Sequence, residues 1–174
     1  MHQPHAEPRR SIYYDYQVFD AWLPSQHPQP QRHAVVIAGA GPIGLVADAH
    51  RGPGLAIAVD LPRDVMAAIP AEVLEAVLET LVENSRQAGA ERVEIAGTIA
   101  RDDLVLTVTD DGPGIPPADR ERIFEPFHTG RRAEGGSGLG LAIARSLLAA
   151  CGGTIASEAW ENGARIVLRV GIVK

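Results

Sequence analysis

An apolar run, Leu104-Val105-Leu106-Thr107-Val108-Thr109, leads directly into Asp110-Asp111-Gly112-Pro113-Gly114-Ile115. A carboxylate at the mouth of a strand, followed by two glycines two residues apart, lets backbone approach a flat ligand while the acid accepts hydrogen bonds from it. Asp-Gly and Pro-Gly pairs are also ordinary turn residues, so the stretch alone leaves both readings open. Its surroundings favour a ligand. Asn84 lies 26 residues before Asp110, and a second glycine cluster reaches Gly136, 26 residues after it.

The elements around this stretch follow from periodicity. Leu74, Val77, Leu78, Leu81 and Val82 recur at spacings of three and four, with Glu72, Glu75, Glu79 and Glu83 on much of the opposite side. This predicts a helix from Pro70 toward Gly89 with one face in the core. Asn84 falls near its C-terminal end, where a cap or surface residue is as ordinary as a ligand. Arg92 to Ile99 and Leu104 to Thr109 read as antiparallel strands about Ala100-Arg101-Asp102-Asp103. A polar loop from Pro116 to Gly136 carries Phe124 and Phe127, expected as hydrophobic anchors. Gly138 to Ala150 reads as a helix stopped by Gly152-Gly153, with closing strands at Thr154 to Ala159 and Ala164 to Ile172. Cys151, the single cysteine, is expected to be a buried helix residue and excludes an intrachain disulfide.

The first third of the chain is different. Residues 1 to 10 are polar, Ile12, Tyr14, Tyr16 and Val18 alternate as in a half-buried strand, and Pro24, Pro28 and Pro30 mark a linker. Ala34 to Ala38 followed by Gly39-Ala40-Gly41-Pro42-Ile43-Gly44 matches a dinucleotide-binding fingerprint, with Asp60 standing 21 residues after the first glycine. The helix it requires would have to fit between Pro42 and His50. The preferred reading is a strand-turn-strand pair, Ala34 to Ala38 with Leu55 to Val59, supporting the main sheet. His27, His33 and His50 have no ligand spacing and read as solvated.

A length of 174 residues with 45% hydrophobic and 22% charged residues suits one globular core, and a net charge of -6 argues against a nucleic-acid or anionic-membrane partner. No apolar run reaches the length of a membrane span and the start has no signal-peptide core, so the expected location is cytoplasmic.

Together these pieces suit a magnesium nucleotide. Asp110 can accept from the exocyclic amino group of adenine, where guanine presents a carbonyl. Gly112 and Gly114 allow close approach to base and sugar, and Asn84 offers a neutral amide oxygen to Mg²⁺, a hard ion that takes most of its other ligands from phosphate and water. Gly135-Gly136-Ser137-Gly138-Leu139-Gly140-Leu141 opens a helix whose free N–H groups can meet phosphate. Arg131 and Arg132 can clamp phosphates from the lid or remain solvated.

In this order the motifs resemble the catalytic ATP-binding domain of sensor histidine kinases, within the GHKL group that also contains gyrase and MutL proteins. The N box resembles Leu81-Val82-Glu83-Asn84-Ser85, the first glycine box Asp110 to Ile115, the F box Arg122-Ile123-Phe124-Glu125-Pro126-Phe127, and the second glycine box Gly136 to Leu141. The resemblance spans roughly residues 55 to 170. It implies an α/β (α+β) two-layer sandwich, a mixed sheet with helices on one face, in the Bergerat ATP-binding fold. ATP and Mg²⁺ are the implied ligands, with Asn84 catalytic and holding the metal. Asp110, Gly112, Gly114, Ile115, Phe127, Arg131, Gly136, Ser137, Gly138, Leu139 and Gly140 are the implied nucleotide contacts.

The chain departs from the family pattern at several positions. MutL proteins carry a hydrolytic glutamate four residues before the Asn, and here that residue is Thr80. Gln87 replaces a basic residue common in the kinases, and Ala164-Arg165 replaces a hydroxyl near the last strand. Residues 1 to 60 show no helical hairpin with a His-acid pair, and His128 belongs to the lid. The expectation is a domain at 55–174 preceded by a tail, linker or accessory strands at 1–54. It would act as a monomer on a phosphoacceptor histidine hairpin of the same or another chain, and indirectly on a response regulator. An ATP-binding regulatory module without phosphotransfer, and a dinucleotide binder at Gly39 to Gly44, are the competing readings.

Overall fold

The computed structural model describes residues 35–37, 43, 54–62, 65–129 and 137–173. All lie in the compact unit that runs from Arg32 to Lys174. The proposed strand at Ile12 to Val18, the three loop histidines, Arg131, Arg132 and Gly136 fall outside the described residues, as does the Gly39 to Gly44 fingerprint except for Ile43. The Ile43 side chain is buried in the core.

Five strands form the main sheet in the order β2–β4–β5–β7–β6. They are β2 (Ala56–Asp60), β4 (Arg92–Ala100), β5 (Asp103–Asp110), β6 (Thr154–Glu158) and β7 (Arg165–Gly171). β2 and β4 are parallel and the other pairs antiparallel, so the sheet is mixed as expected. Parallel neighbours need a crossover, and helix α1 (Ala71–Gln87) lies between β2 and β4 in the sequence. The expected pairing of residues 34–38 with 55–59 is not formed. β1 (Val35–Ile37) pairs instead with β3 (Val65–Ala67) in a separate two-stranded ribbon, while β2 stands at the edge of the main sheet beside β4. An Ala67–Ile172 bridge ties the ribbon to the end of the last strand.

One face of the sheet is buried. Leu104, Leu106 and Val108 on β5 stand opposite Val170, Leu168 and Ile166 on β7, and all six belong to the core. The alternation places every second residue under the helix layer. α1 contributes Leu74, Val77, Leu78, Leu81, Val82 and Ser85 to this core. It begins after Pro70, whose extended backbone (ψ 143°) makes it the N-cap, and Gly89 (φ 84°) turns the chain beyond its end. Helix α2 (Gly140–Ala150) buries Ala142, Ala144 and Leu148. It starts two residues later than periodicity predicts, because Gly138 holds φ at 65°, which no right-handed helix accommodates. Cys151 caps α2 rather than lying within it, half-buried against the core, and burial pushes its thiol pKa up. Among the described residues no helix is long and apolar enough to cross a membrane.

Candidate functional site

The first glycine box is organised by Asp110. Because Leu104, Leu106 and Val108 point into the core, the same alternation points Asp110 under the helix layer at the very end of β5. On α1 the buried stripe through Val77 and Leu81 continues four residues on to Ser85, which is 6% exposed and the only buried polar residue among the described residues. The two polar residues therefore meet where two apolar stripes end. Ser85 Oγ donates to Asp110 Oδ2 at 2.6 Å. Oδ1 accepts from the Gly112 N–H at 3.0 Å and the Ala164 N–H at 3.1 Å. The backbone N–H of Asp110 in turn donates to the Ala164 carbonyl at 3.0 Å.

Asp111 faces elsewhere and has a different job. Its Oδ1 accepts the N–H groups of Arg92 and Glu91, both at 2.8 Å, fastening the box to the start of β4. The Arg92 N–H is the main reason its carboxyl is held below the ordinary range, against a smaller opposing effect of desolvation.

The glycines have reasons within the protein itself. A Cβ on Gly112 would sit 3.1 Å from Asp110 Oδ1, and one on Gly114, where φ is 79°, would sit 2.7 Å from the Gly163 carbonyl oxygen. Gly163 is tighter still, because its Cβ would fall on the Asp110 carbonyl, and its φ of 128° suits only glycine. The turn between β6 and β7 thus closes directly on Asp110, stiffened by the Arg165 guanidinium lying 3.3 Å over the Trp160 ring. Ile115, next to Gly114, packs against the core from a half-buried position.

The second glycine box lies against the other part of α1. A Cβ on Gly140 would meet Thr80 Cγ2 at 3.1 Å, so the Thr80 side of α1 faces the start of α2. Asn84 is one turn further on that same side, about 6 Å along the axis. Thr80 Oγ1 is directed to its own helix, donating to the Ala76 carbonyl at 2.8 Å. Ser137 Oγ accepts the Leu139 N–H at 3.3 Å, shaping the helix entry. The first bond of α2 runs from the Ile143 N–H to the Leu139 carbonyl at 2.9 Å. The N–H groups of Gly140, Leu141 and Ala142 therefore precede the intrahelical ladder and lie at its positive end. Gln87, the residue that departs from the basic pattern, is exposed and donates to Glu83 Oε1 at 2.7 Å.

The two phenylalanines separate. Phe124 is 4% exposed, lies in the core cluster, and has Arg145 of α2 5.9 Å from its ring centroid. Phe127 is not an anchor: it is 62% exposed. Its φ of 65° reverses the chain direction and carries the side chain away from the core while its N–H donates to the Gly138 carbonyl.

This gives a carboxylate at one end, an amide-bearing helix alongside, and a helix N-terminus against that helix. A family model described as histidine kinase-, DNA gyrase B-, and HSP90-like ATPase matches residues 70–173. The chain belongs to this ATPase family. The sensor histidine kinase CpxA of Escherichia coli is 36% identical over 106 residues, covering 58% of this chain and 23% of that protein. The C4-dicarboxylate transport sensor protein DctB of Rhizobium meliloti is 40% identical over 133 residues, covering 71% of this chain and 20% of that one. The chain thus spans between a fifth and a quarter of these curated relatives. The ATP-binding domain of PrrB from Mycobacterium tuberculosis superposes with a TM-score of 0.64 at 25% identity, covering 76% of this chain and 93% of that one. The catalytic domain of histidine kinase ThkA superposes with the same TM-score at 27% identity, covering 75% and 88%. The expected two-layer α+β fold, with its mixed sheet, is the fold of these histidine kinase ATP-binding domains.

Of the family's boxes, the structure brings Asp110, Gly112 and Gly114 together with α1, and Gly138, Leu139 and Gly140 with both α1 and the F box. In the sequence reading Ser85 entered only as the last residue of the N box, Ala164 only as part of the place of a missing hydroxyl, and Gly163 not at all. Ser85 was legible from the spacing Val77, Leu81, Ser85. Ala164 acts through its backbone, which no side-chain motif reveals.

Proposed function

We propose that residues 55–174 bind Mg·ATP in the cleft bounded by Asp110, α1 and the start of α2, and deliver the γ-phosphate to a histidine on a separate helical hairpin. The observation that carries this is Asp110: a carboxylate at the end of a strand, under the helix layer, with its backbone and side chain fixed by Ala164, Gly112 and Ser85. Such an acceptor recognises an amino group on a flat base. Asn84 has the neutral oxygen that suits Mg²⁺, on the side of α1 that faces the helix N-terminus. When bound, the ion neutralises phosphate oxygens and orients the transferring group. The chain's own part is to hold the base at Asp110, to offer the N–H groups of Gly140 to Ala142 to phosphate, and to keep the reacting end aligned.

Thr80 supports transfer rather than hydrolysis. It stands where the resemblance to MutL places a carboxylate base and directs its hydroxyl to Ala76, so Thr80 itself offers no carboxylate to activate water. The nucleotide is kept for an acceptor that arrives from outside. Residues 1–54 serve as tail, linker or accessory strands, and a response regulator receives the phosphate indirectly.

The test is to titrate the chain with Mg·ATP and then mix it with a histidine-bearing hairpin and γ-labelled ATP. Saturable binding and label on the hairpin histidine are expected, and Asp110→Asn is expected to weaken binding by about ten- to hundredfold, the scale of a lost charge-assisted hydrogen bond. Absence of ATP binding sinks the proposal; binding without transfer favours a regulatory module.

A further inference from the structure

We infer that the outer edge of β2 (Ala56–Asp60) is a pairing surface for a second copy of this chain, joined antiparallel about a two-fold axis through Ala58. The inference is independent of the nucleotide reading, and it replaces the monomer expected from the sequence.

β2 ends the main sheet, with β4 on one side and no strand on the other among the described residues. The Ala56 N–H donates to the Glu91 carbonyl at 2.8 Å, so Ala56, Ala58 and Asp60 turn their backbone groups toward β4. By the alternation of a strand, the N–H and C=O groups of Ile57 and Val59 point outward. Edge strands that stay single are commonly blunted by lysine, proline or a bulge. β2 contains neither lysine nor proline, and its sequence, Ala-Ile-Ala-Val-Asp, is apolar up to the last residue. Val59 is 40% exposed.

The strand is complementary to itself. With Ala58 on the axis, Ile57 stands opposite Val59 of the second copy, and the outward-facing residues of the two strands exchange hydrogen bonds in pairs. Ile57 and Val59 lie on the helix side of the sheet, beside Val93 and Ile95 of β4. Each exposed Val59 is thus covered by an isoleucine that already packs against its own core. Ala56, Ala58 and Asp60 share the other face. There Asp60 of one copy stands opposite Ala56 of the other, whose neighbour on β4 is Arg92. Two strand spacings, about 10 Å, separate Asp60 from that Arg92 at the backbone, and only the methyl group of Ala56 lies between them. Arg92 and Asp60 belong to no ion pair among the described residues. Pairing gives each a partner, and the symmetry repeats the contact. The two Asp60 residues stay about 14 Å apart, beyond the roughly 8 Å screening length of physiological salt.

A five-residue edge buries less than the roughly 1,200 Å² of a standard stable interface. The dimer is therefore weak, with a dissociation constant on the order of 100 μM, and it fills where copies are concentrated or tethered together.

The experiment is sedimentation velocity of the full chain from about 10 μM to about 1 mM, a range that brackets this affinity. Val59→Pro removes an outward N–H and leaves the β2–β4 ladder intact. Asp60→Arg and Arg92→Glu each turn both contacts between the copies into like charges. Thermal melting checks that every variant is folded. The unaltered chain is expected to pass from monomer to dimer over this range, Val59→Pro to stay monomeric, and each charge variant to associate about tenfold more weakly. An equimolar mixture of Asp60→Arg with Arg92→Glu is expected to recover the unaltered affinity, because each charge again meets its opposite. A monomer at every concentration overturns the inference, as does a dimer that survives all of the variants or a mixture no stronger than its components. If Val59→Pro does not fold, the charge exchange alone decides.

Discussion

The N–H of Phe127 donates to the carbonyl of Gly138 at 2.9 Å, and both residues hold φ at 65°. Left-handed backbone is ordinary for glycine and an outlier for a bulky aromatic, where it costs on the order of 1–3 kcal/mol. The contact brings the end of the F box onto the second glycine box, so the chain between them leaves and returns at one point. That closure is made of backbone, which is why glycine is required on one side of it.

Gly138→Ala tests the closure. The new Cβ would lie 2.7 Å from the Phe127 carbonyl carbon and 2.8 Å from the His128 oxygen, at a φ that disfavours it. A loss of about 2 kcal/mol is expected, which lowers Tm by several degrees in a domain of this size. Weaker nucleotide binding should accompany it. An unchanged melting curve contradicts the geometry.

Phe124 and Phe127 are expected to respond in opposite ways. Phe124→Ala empties a core position and should cost about 3–5 kcal/mol. Phe127→Gly removes an exposed side chain from a strained φ and should leave Tm unchanged or raised. Denaturant unfolding of both variants decides this, and a larger loss from Phe127→Gly than from Phe124→Ala is the adverse result.

Gly163→Ala is expected to be the most damaging glycine substitution. Its Cβ would overlap the Asp110 carbonyl group and crowd Oδ1 at 3.1 Å, so the β6–β7 turn and the base-reading carboxylate would shift together. Stability should fall by more than about 3 kcal/mol, with ATP binding lost in whatever folded fraction remains. Wild-type binding by a folded Gly163→Ala protein would falsify the coupling.

Asp111 supplies a pH signature. Its carboxyl is held below its ordinary value of 3.8 chiefly by the Arg92 N–H, so the folded state favours the ionised form. The associated stability is present above that ordinary value and disappears as pH falls through the lower folded one. Asp111→Asn keeps the acceptor oxygen but removes the charge. Wild type should therefore melt higher than Asp111→Asn at neutral pH, with the gap closing as acid protonates the carboxyl. A gap that widens on acidification has the wrong sign.

The sequence by itself determined most of the elements, though not β3 (Val65–Ala67), and the resemblance it carries identified the boxes. The three-and-four spacing from Leu74 to Val82 gave α1, the alternation from Leu104 to Val108 gave β5, and both patterns, carried one step further, reach Ser85 and Asp110. Those are local periodicities, fixed by the pitch of a helix and the pleat of a strand. Tertiary structure decided what local rules cannot reach. Residues 35–37 pair with β3, and β2 takes a parallel partner 36 residues along, as in the Ala56–Arg92 register pair. Phe127 leaves the core because its backbone turns left-handed to meet Gly138. Asp110 is held by the N–H of Ala164, 54 residues away, a bond that belongs to the sheet order and not to any motif. Backbone donors look alike in every residue, so only the fold can say which of them reach the carboxylate.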